Sequence, residues 1–415
     1  MPSTDTERAL DRVSTYGKPS DLQITDLRLA VVASNYDYPL LRIDTNQGVY
    51  GLGEVRDAGH KEDALRFKSF LLGQDPTNVD PLFDAISRYG AHAREGGGVS
   101  GIEMALWDLV GKVYGVPAYQ FLGGKYRDRV RIYADTPTPR EGTPESYVRR
   151  VKERQDRGLT FVKFDLRINV FEYAGVKGAM TGDRLTGTGI EYLRSIVGAV
   201  RQAVGPELPL ALDHFGPLGV NDCIRLGNAL EEFDLAWLED MRPDTDVRGL
   251  REITNAINTP TMNGEALYLL DGFKRLIDER AVRMVQPDLA TAGGLRETKR
   301  IADYAARQGM PAVFHFAGSP ISFMANVHTA AATKSFLCLE HHALDIPWWE
   351  GLVTGLEQPL LQDGYVNVPE KPGLGVDLNL DAIQEQLRYP GLFDPTPEWD
   401  TPKLGFYLPN GQEWD

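Results

Sequence analysis

From Val130 onward, short apolar runs alternate with stretches whose apolar residues recur at three- and four-residue spacing. VRIYAD, TFVKFDL, PLALD, LAWLE, PTMNGE, VRMVQPD, AVFHF and FLCLE read as eight strands. Segments such as PESYVRRVKERQDRG, VNDCIRLGNALEEF and GLRETKRIADYAARQG read as the amphipathic helices between them. Strict alternation predicts parallel strands, because each one needs a crossover before the next can begin. Eight alternations fit an α/β barrel of the TIM type rather than an open doubly wound sheet. The first third differs. ITDLRLAVVAS, YPLLRIDT and GVYGLGEV alternate apolar with polar around Asn46-Gln47-Gly48, which predicts an antiparallel meander with a tight turn. KEDALRFKSFLLG, VDPLFDAISRYG and GVSGIEMALWDLVGKVYG follow as helices that end in glycine. The expected organisation is an α+β domain over residues 1–128, the barrel over 129–376, and a segment 377–415 that packs back on the first domain. A chain of 415 residues is long enough for two domains, since single cores stop growing near ~250. The connection Ile168–Gly187 is long for a barrel loop and is expected to act as a lid.

The expected strand ends carry charge. Asp213, Glu239 and Glu265 stand 26 residues apart, each closing an apolar run, so successive β-α units place three carboxylates at one end of neighbouring strands. Three hard oxygen donors suit a divalent cation, and Mg²⁺ fits best because it keeps positions for water and a substrate oxyanion. A single strand-end acid would more often cap a helix. The other ends read Asp135, Lys163 with Asp165, His214 beside Asp213, Asp288, His315 and Glu340. Lys163 and Asp165, two apart, point to one face, and a lysine near a metal is expected to have a lowered pKa. His315 and Asp288 end adjacent strands and form the pairing from which a general base is built. His214 would point away from Asp213 in a regular strand, so its role as acid or supporting group is open.

Composition removes other readings. Hydrophobic residues at 42% and charged ones at 25% describe an ordinary globular chain. A formal charge of −15 without a basic stripe excludes nucleic acid and anionic membrane as partners. No apolar run has the length of a membrane span, and the polar start MPSTDTERALDRVSTYGKPSD has no signal core, so a cytoplasmic address is expected. Cys223 and Cys338 are expected to be buried and unpaired.

At GLGEV, GVSGIEMALWDLVGKVYGVPAYQFLGG, QPDLATAGGLRETKRIA, PGLGVDLN and the three spaced acids, the chain resembles the enolase superfamily in its mandelate racemase and muconate lactonizing enzyme branch. The resemblance implies an α+β capping domain over a modified TIM barrel, (β/α)7β, and a homo-oligomer. It implies Asp213, Glu239 and Glu265 as Mg²⁺ ligands, His315 with Asp288 as the basic dyad, and Glu340 as a protonated donor to a small-molecule carboxylate substrate. The family's second-strand Lys-x-Lys is Lys163-Phe164-Asp165 here, which removes the usual second base and leaves abstraction by His315 from one side. The reading that follows is dehydration of an acid sugar to a 2-keto-3-deoxy acid. Lys163 would neutralise the enediolate, and Tyr38, Arg56, Asp57 and Arg167 would contact substrate from the capping loops and the long connection. An epimerase or cycloisomerase, and a catalytically silent binding protein, are the alternatives.

Overall fold

Eight parallel strands close on themselves at the centre of the molecule, in a computed structural model that describes residues 18–90 and 96–402. They are, in order, Arg129–Ala134, Val162–Asp165, Leu210–Asp213, Leu238–Glu239, Thr261–Asn263, Met284–Val285, Ala312–Phe314 and Phe336–His341. Each pairs with the next, and the eighth pairs in parallel with the first, Glu340 opposite Tyr133. Seven helices fill the crossovers: Pro144–Asp156, Gly187–Val204, Val220–Leu230, Val247–Ala256, Leu269–Asp278, Leu295–Arg307 and Pro320–Ala332. After the eighth strand a 3-10 turn at Trp349–Leu352 stands where another helix would be. Tyr365–Asn367 then adds an antiparallel strand to the outside of the first barrel strand. The fold is the (β/α)7β form of the barrel. Side chains start the helices locally: Thr143, Thr186 and Asp246 each accept a backbone N–H from the first turn.

One residue in, or directly before, every strand fills the barrel interior: Tyr133, Phe161, Ala211, Trp237, Met262, Met284, Val313 and Cys338. Tyr133 and Trp237 pack edge to face with centroids 5.4 Å apart, and Phe161 tilts against both. This layer is the floor on which the charged strand ends stand. Both cysteines are buried and free, Cys338 in this floor.

The N-terminal meander runs Ile24–Ala33, Asp37–Thr45 and Tyr50–Glu54, with Gly48 at φ +80° in the turn. Gly51 and Gly53 lie against helix Gly97–Tyr114 so closely that a Cβ on either would overlap the Ala105 or Gly101 carbonyl oxygen. The expected helix over 61–73 is instead two short ones, Glu62–Leu65 and Lys68–Leu71. The break turns Phe67 and Lys68 inward, where the ammonium lies 2.7 Å from Asp26 and 2.7 Å from Asp400. Farther along, Ala33 N–H donates to Gln386 and Arg388 N–H to Val31, so residues after 385 run along the meander's edge. The opening residues 1–17, the stretch 91–95 and the tail from 403 fall outside the described residues, as do the expectations placed on them. Among the described residues, no helix is long and apolar enough to cross a membrane.

The long connection is folded rather than loose. It holds a short helix, Val170–Tyr173, and a hairpin of Met180–Thr181 with Arg184–Leu185. Buried Asp222 takes the Arg184 guanidinium at 2.8 Å and the Leu185 N–H at 3.2 Å, pinning the hairpin to the helix Val220–Leu230.

Two measurements test this packing. Gly53→Ala is expected to cost roughly 3 kcal/mol in chemical denaturation, because rigid backbone on both sides must part; an unchanged midpoint would show that the sheet and helix can separate freely. Glu54 joins the meander to the barrel by accepting Ser319 N–H at 3.0 Å, and burial pushes its carboxyl up to about 8. Its proton is therefore held in the folded protein and lost from the unfolded one between about pH 4.5 and 8, so stability falls as pH rises through that window. Glu54→Gln is expected to flatten this slope, and an equal slope in both proteins would contradict the assignment.

Candidate active site at the barrel mouth

Successive inward side chains on a strand are two residues apart, so the residue two beyond each floor position stands directly above it. From Tyr133 that step gives Asp135, from Phe161 Lys163, from Ala211 Asp213, and from Trp237 Glu239. Met284, Val313 and Cys338 lead in the same way to Gln286, His315 and Glu340. Glu265 follows Gly264, whose φ of +133° turns the fifth strand's end. One barrel face thus collects the charge.

Lys163 is its hub. Its ammonium, 1% exposed, lies 2.8 Å from each of Asp213, Glu239 and Glu340 and 3.7 Å from Asp135. Burial alone would lower its pKa, but the surrounding carboxylates outweigh burial and hold it well above the ordinary value. The lowering expected from the sequence concerns a lysine beside a bound cation, whereas here carboxylates surround the ammonium. Glu239 also accepts from Trp237 Nε1 at 2.9 Å and Gln286 Nε2 at 2.8 Å, and Tyr133 donates to Glu340 at 2.8 Å. In these contacts Glu340 accepts; the donation expected of it is to a substrate carboxylate.

His315 Nδ1 is 2.6 Å from Asp288 Oδ2, while Asp288 Oδ1 accepts the Thr291 N–H at 2.9 Å. Asp288 is therefore helix cap and imidazole partner at once. Nε2 faces Glu265 at 3.0 Å. Burial would lower the imidazole's pKa; Glu265, Glu340 and Asp288 raise it well above the usual value. The ring can accept a proton only when Glu265 has moved off Nε2.

Asp213, Glu239 and Glu265 do not converge on one point, because Lys163 draws the first two and His315 the third. Ligand-type atoms gather within 4.8 Å in two other sets, Asp165–Asp213–His214 and Asp135–Glu340–His342. The three acids still fit a hard cation chemically. They are buried oxygen donors on adjacent strands; burial and neighbouring carboxylates push Glu239 and Asp240 well above their usual values, whereas Lys163 holds Asp213 below its usual value and His315 holds Glu265 well below it. Asp240, at φ +47°, also has a buried oxygen without a hydrogen-bond partner among the described residues. Lys163 and His315 thus stand where a bound cation would compete for Asp213 and Glu265, while Glu239 and Asp240 keep charge to be neutralised.

The remaining expected residues divide. Asp165 stands at the mouth beside Asp213, its carboxyl raised well above normal by burial and by Asp135, with Arg167 Nε at 3.3 Å. His214 takes φ +56°, which ends the strand and returns its ring to 3.6 Å from Asp213, the side a regular strand would deny it. Arg167, His214 and Asp240 line an open cleft of 1040 Å³. Arg56, Asp57 and Tyr38 do not face open space. Arg56 is spent on the Glu265 carbonyl at 2.6 Å, Thr291 at 2.7 Å and Asp57 at 3.0 Å, while Tyr38, fully buried, donates to Asn35 at 2.5 Å. Arg56 clamps the meander's edge to the barrel, and Asp57 holds its guanidinium. Gln286, Tyr133 and Trp237 went unrecognised in the sequence, although the two-residue step on their strands marks them.

Residues 146–382 match the enolase C-terminal domain-like family, and residues 23–123 match the mandelate racemase / muconate lactonizing enzyme N-terminal domain. The chain belongs to this family. A D-xylonate dehydratase from Haloferax volcanii is 36% identical over 385 residues, covering 91% of this chain and 92% of that protein. A D-gluconate/D-galactonate dehydratase from Picrophilus torridus is 31% identical over 296 residues, 71% of this chain and 72% of its own. The crystal structure of a mandelate racemase/muconate lactonizing enzyme-like protein from Rubrobacter xylanophilus superposes with a TM-score of 0.83 at 33% identity, over 89% of this chain and 98% of its own. Within the mandelate racemase family's barrel, the lysine hub is open to a direct test. Lys163→Met removes the cation that three buried carboxylates share and is expected to cost on the order of 3 kcal/mol in denaturant unfolding. A loss below about 0.5 kcal/mol would mean that the ammonium is not their counterion.

Proposed function

We propose that this chain is a Mg²⁺-dependent dehydratase of an acid sugar, an aldonate or aldarate, yielding a 2-keto-3-deoxy acid. The observation that carries the reading is the His315–Asp288 pair at 2.6 Å, with Nε2 aimed into the carboxylate cluster. A proton α to a carboxylate is very weakly acidic, so a base succeeds only where the developing enediolate is neutralised. Asp213, Glu239 and Glu265 would hold Mg²⁺, which supplies the larger share of that neutralisation. Asp288 fixes the His315 tautomer so that Nε2 takes the proton. Lys163, freed from part of its cage, places a second positive charge beside the substrate carboxylate. Arg167, at the cleft, contacts the sugar's far end. Asp165 replaces the second base of two-sided racemases, and the dehydratase names of the relatives favour water loss over epimerisation.

A panel of acid sugars assayed for keto acid tests the activity; no keto acid from any aldonate or aldarate would sink it. Glu239→Gln is expected to weaken Mg²⁺ binding in calorimetry by at least tenfold and to abolish turnover, and unchanged binding would remove the ligand assignment. His315→Asn is expected to lose both turnover and exchange of the α-proton with D₂O, by several orders of magnitude. Exchange that survives in His315→Asn and vanishes in Lys163→Ala would make Lys163 the base.

A further inference from the structure

We propose that His342, held by Asp135, is the acid that gives a proton to the departing β-hydroxyl. His342 lies two residues beyond Glu340, the next inward position on the eighth strand's path. Its Nε2 is 3.1 Å from Asp135 Oδ2, which makes a second imidazole–carboxylate pair beside the first. The His315 and His342 ring centroids are 6.3 Å apart. That spacing lets one ring face the α-proton and the other the oxygen on the next carbon, since the two reacting groups of an elimination sit on adjacent atoms. Tyr36, from the turn between the first two strands of the meander, packs on the His342 ring at 5.7 Å and closes that side. Asp135 is buried, with an oxygen lacking a hydrogen-bond partner among the described residues and Lys163 Nζ 3.7 Å from it. The pair is thus tied to the hub of the site. Asp135, Glu340 and His342 gather within 4.8 Å, but the ammonium of Lys163 already supplies that set's positive charge. His214 is the weaker candidate. Its ring is 39% exposed and leans on Asp213, a proposed Mg²⁺ ligand.

The inference rests on the dehydratase reading. His315 Nε2 takes the α-proton, and the C–H electron pair passes into the enediolate. Collapse of the enediolate forms the Cα=Cβ bond and breaks Cβ–O. The leaving oxygen takes the proton from His342 Nδ1 and departs as water, and the enol tautomerises to the keto acid. His315 ends protonated and His342 neutral, and exchange with solvent resets both. Asp135 acts as a positioning residue.

The test separates the two half-reactions in D₂O, with the substrate on which the wild type forms keto acid. His342→Asn is expected to keep α-proton exchange within about threefold of wild type while keto-acid formation falls at least 100-fold, the usual reach of general acid catalysis. A β-chloro analogue, whose chloride leaves without a proton, is expected to be processed by the variant at close to the wild-type rate. Asp135→Asn is expected to show the same split, less severely, and serves if His342→Asn does not fold. Retained elimination, loss of exchange and elimination together in a folded variant, or the split appearing in His214→Asn instead would each overturn the proposal. Absence of keto acid with the wild type and every acid sugar would instead count against the dehydratase reading itself.

Discussion

A buried ammonium amid carboxylates organises this barrel. Lys163 reaches Asp213, Glu239 and Glu340 at 2.8 Å each, and no other described residue brings a permanent charge that close to all three. Breaking a buried ion pair from one side leaves its partner's desolvation uncompensated, so the hub constrains every neighbour. The carboxylates cannot disperse, because their strands are locked in parallel register and their floor is packed with aromatic rings. Negative charge in excess of cations is the state from which an added divalent ion gains most.

Much of this was legible in the sequence because a strand's period of two is rigid. Asp213, Glu239, Lys163, His315 and Glu340 were found at the strand ends, and the structure sets each one step above the floor. Gln286 and His342 obey the same step, yet they were passed over in favour of the acids nearest each run's end. Capping-domain contacts were less legible. Arg56, Asp57 and Tyr38 look like loop residues reaching for a ligand, but whether a loop side chain meets substrate or protein depends on how two domains dock, and no local pattern encodes that. The split of the 61–73 helix has the same origin: Lys68 turns inward because Asp26 and Asp400, remote in sequence, await it.

Backbone strain falls directly behind two of the expected ligands. Directly after Asp213 and Glu239 the chain enters the left-handed region, at His214 and Asp240, where residues with a Cβ rarely stay unless their surroundings hold them. That turn brings His214 back over the mouth and ends the strands before another inward residue can appear. The long connection contributes in a quieter way. Its hairpin is anchored on Asp222, and of the described residues of that connection only the stretch Arg167–Asn169 lines the cleft.

A crystal structure with Mg²⁺ and an unreactive acid-sugar analogue tests the central claim most directly, because three groupings of ligand atoms compete for the ion. The account predicts density bridged by Asp213, Glu239 and Glu265, with Glu265 drawn off His315 Nε2 and Lys163 turned toward the analogue's carboxylate. An ion held instead by Asp165, Asp213 and His214 or by Asp135, Glu340 and His342, or an analogue bound with Glu265 still on His315, would contradict it.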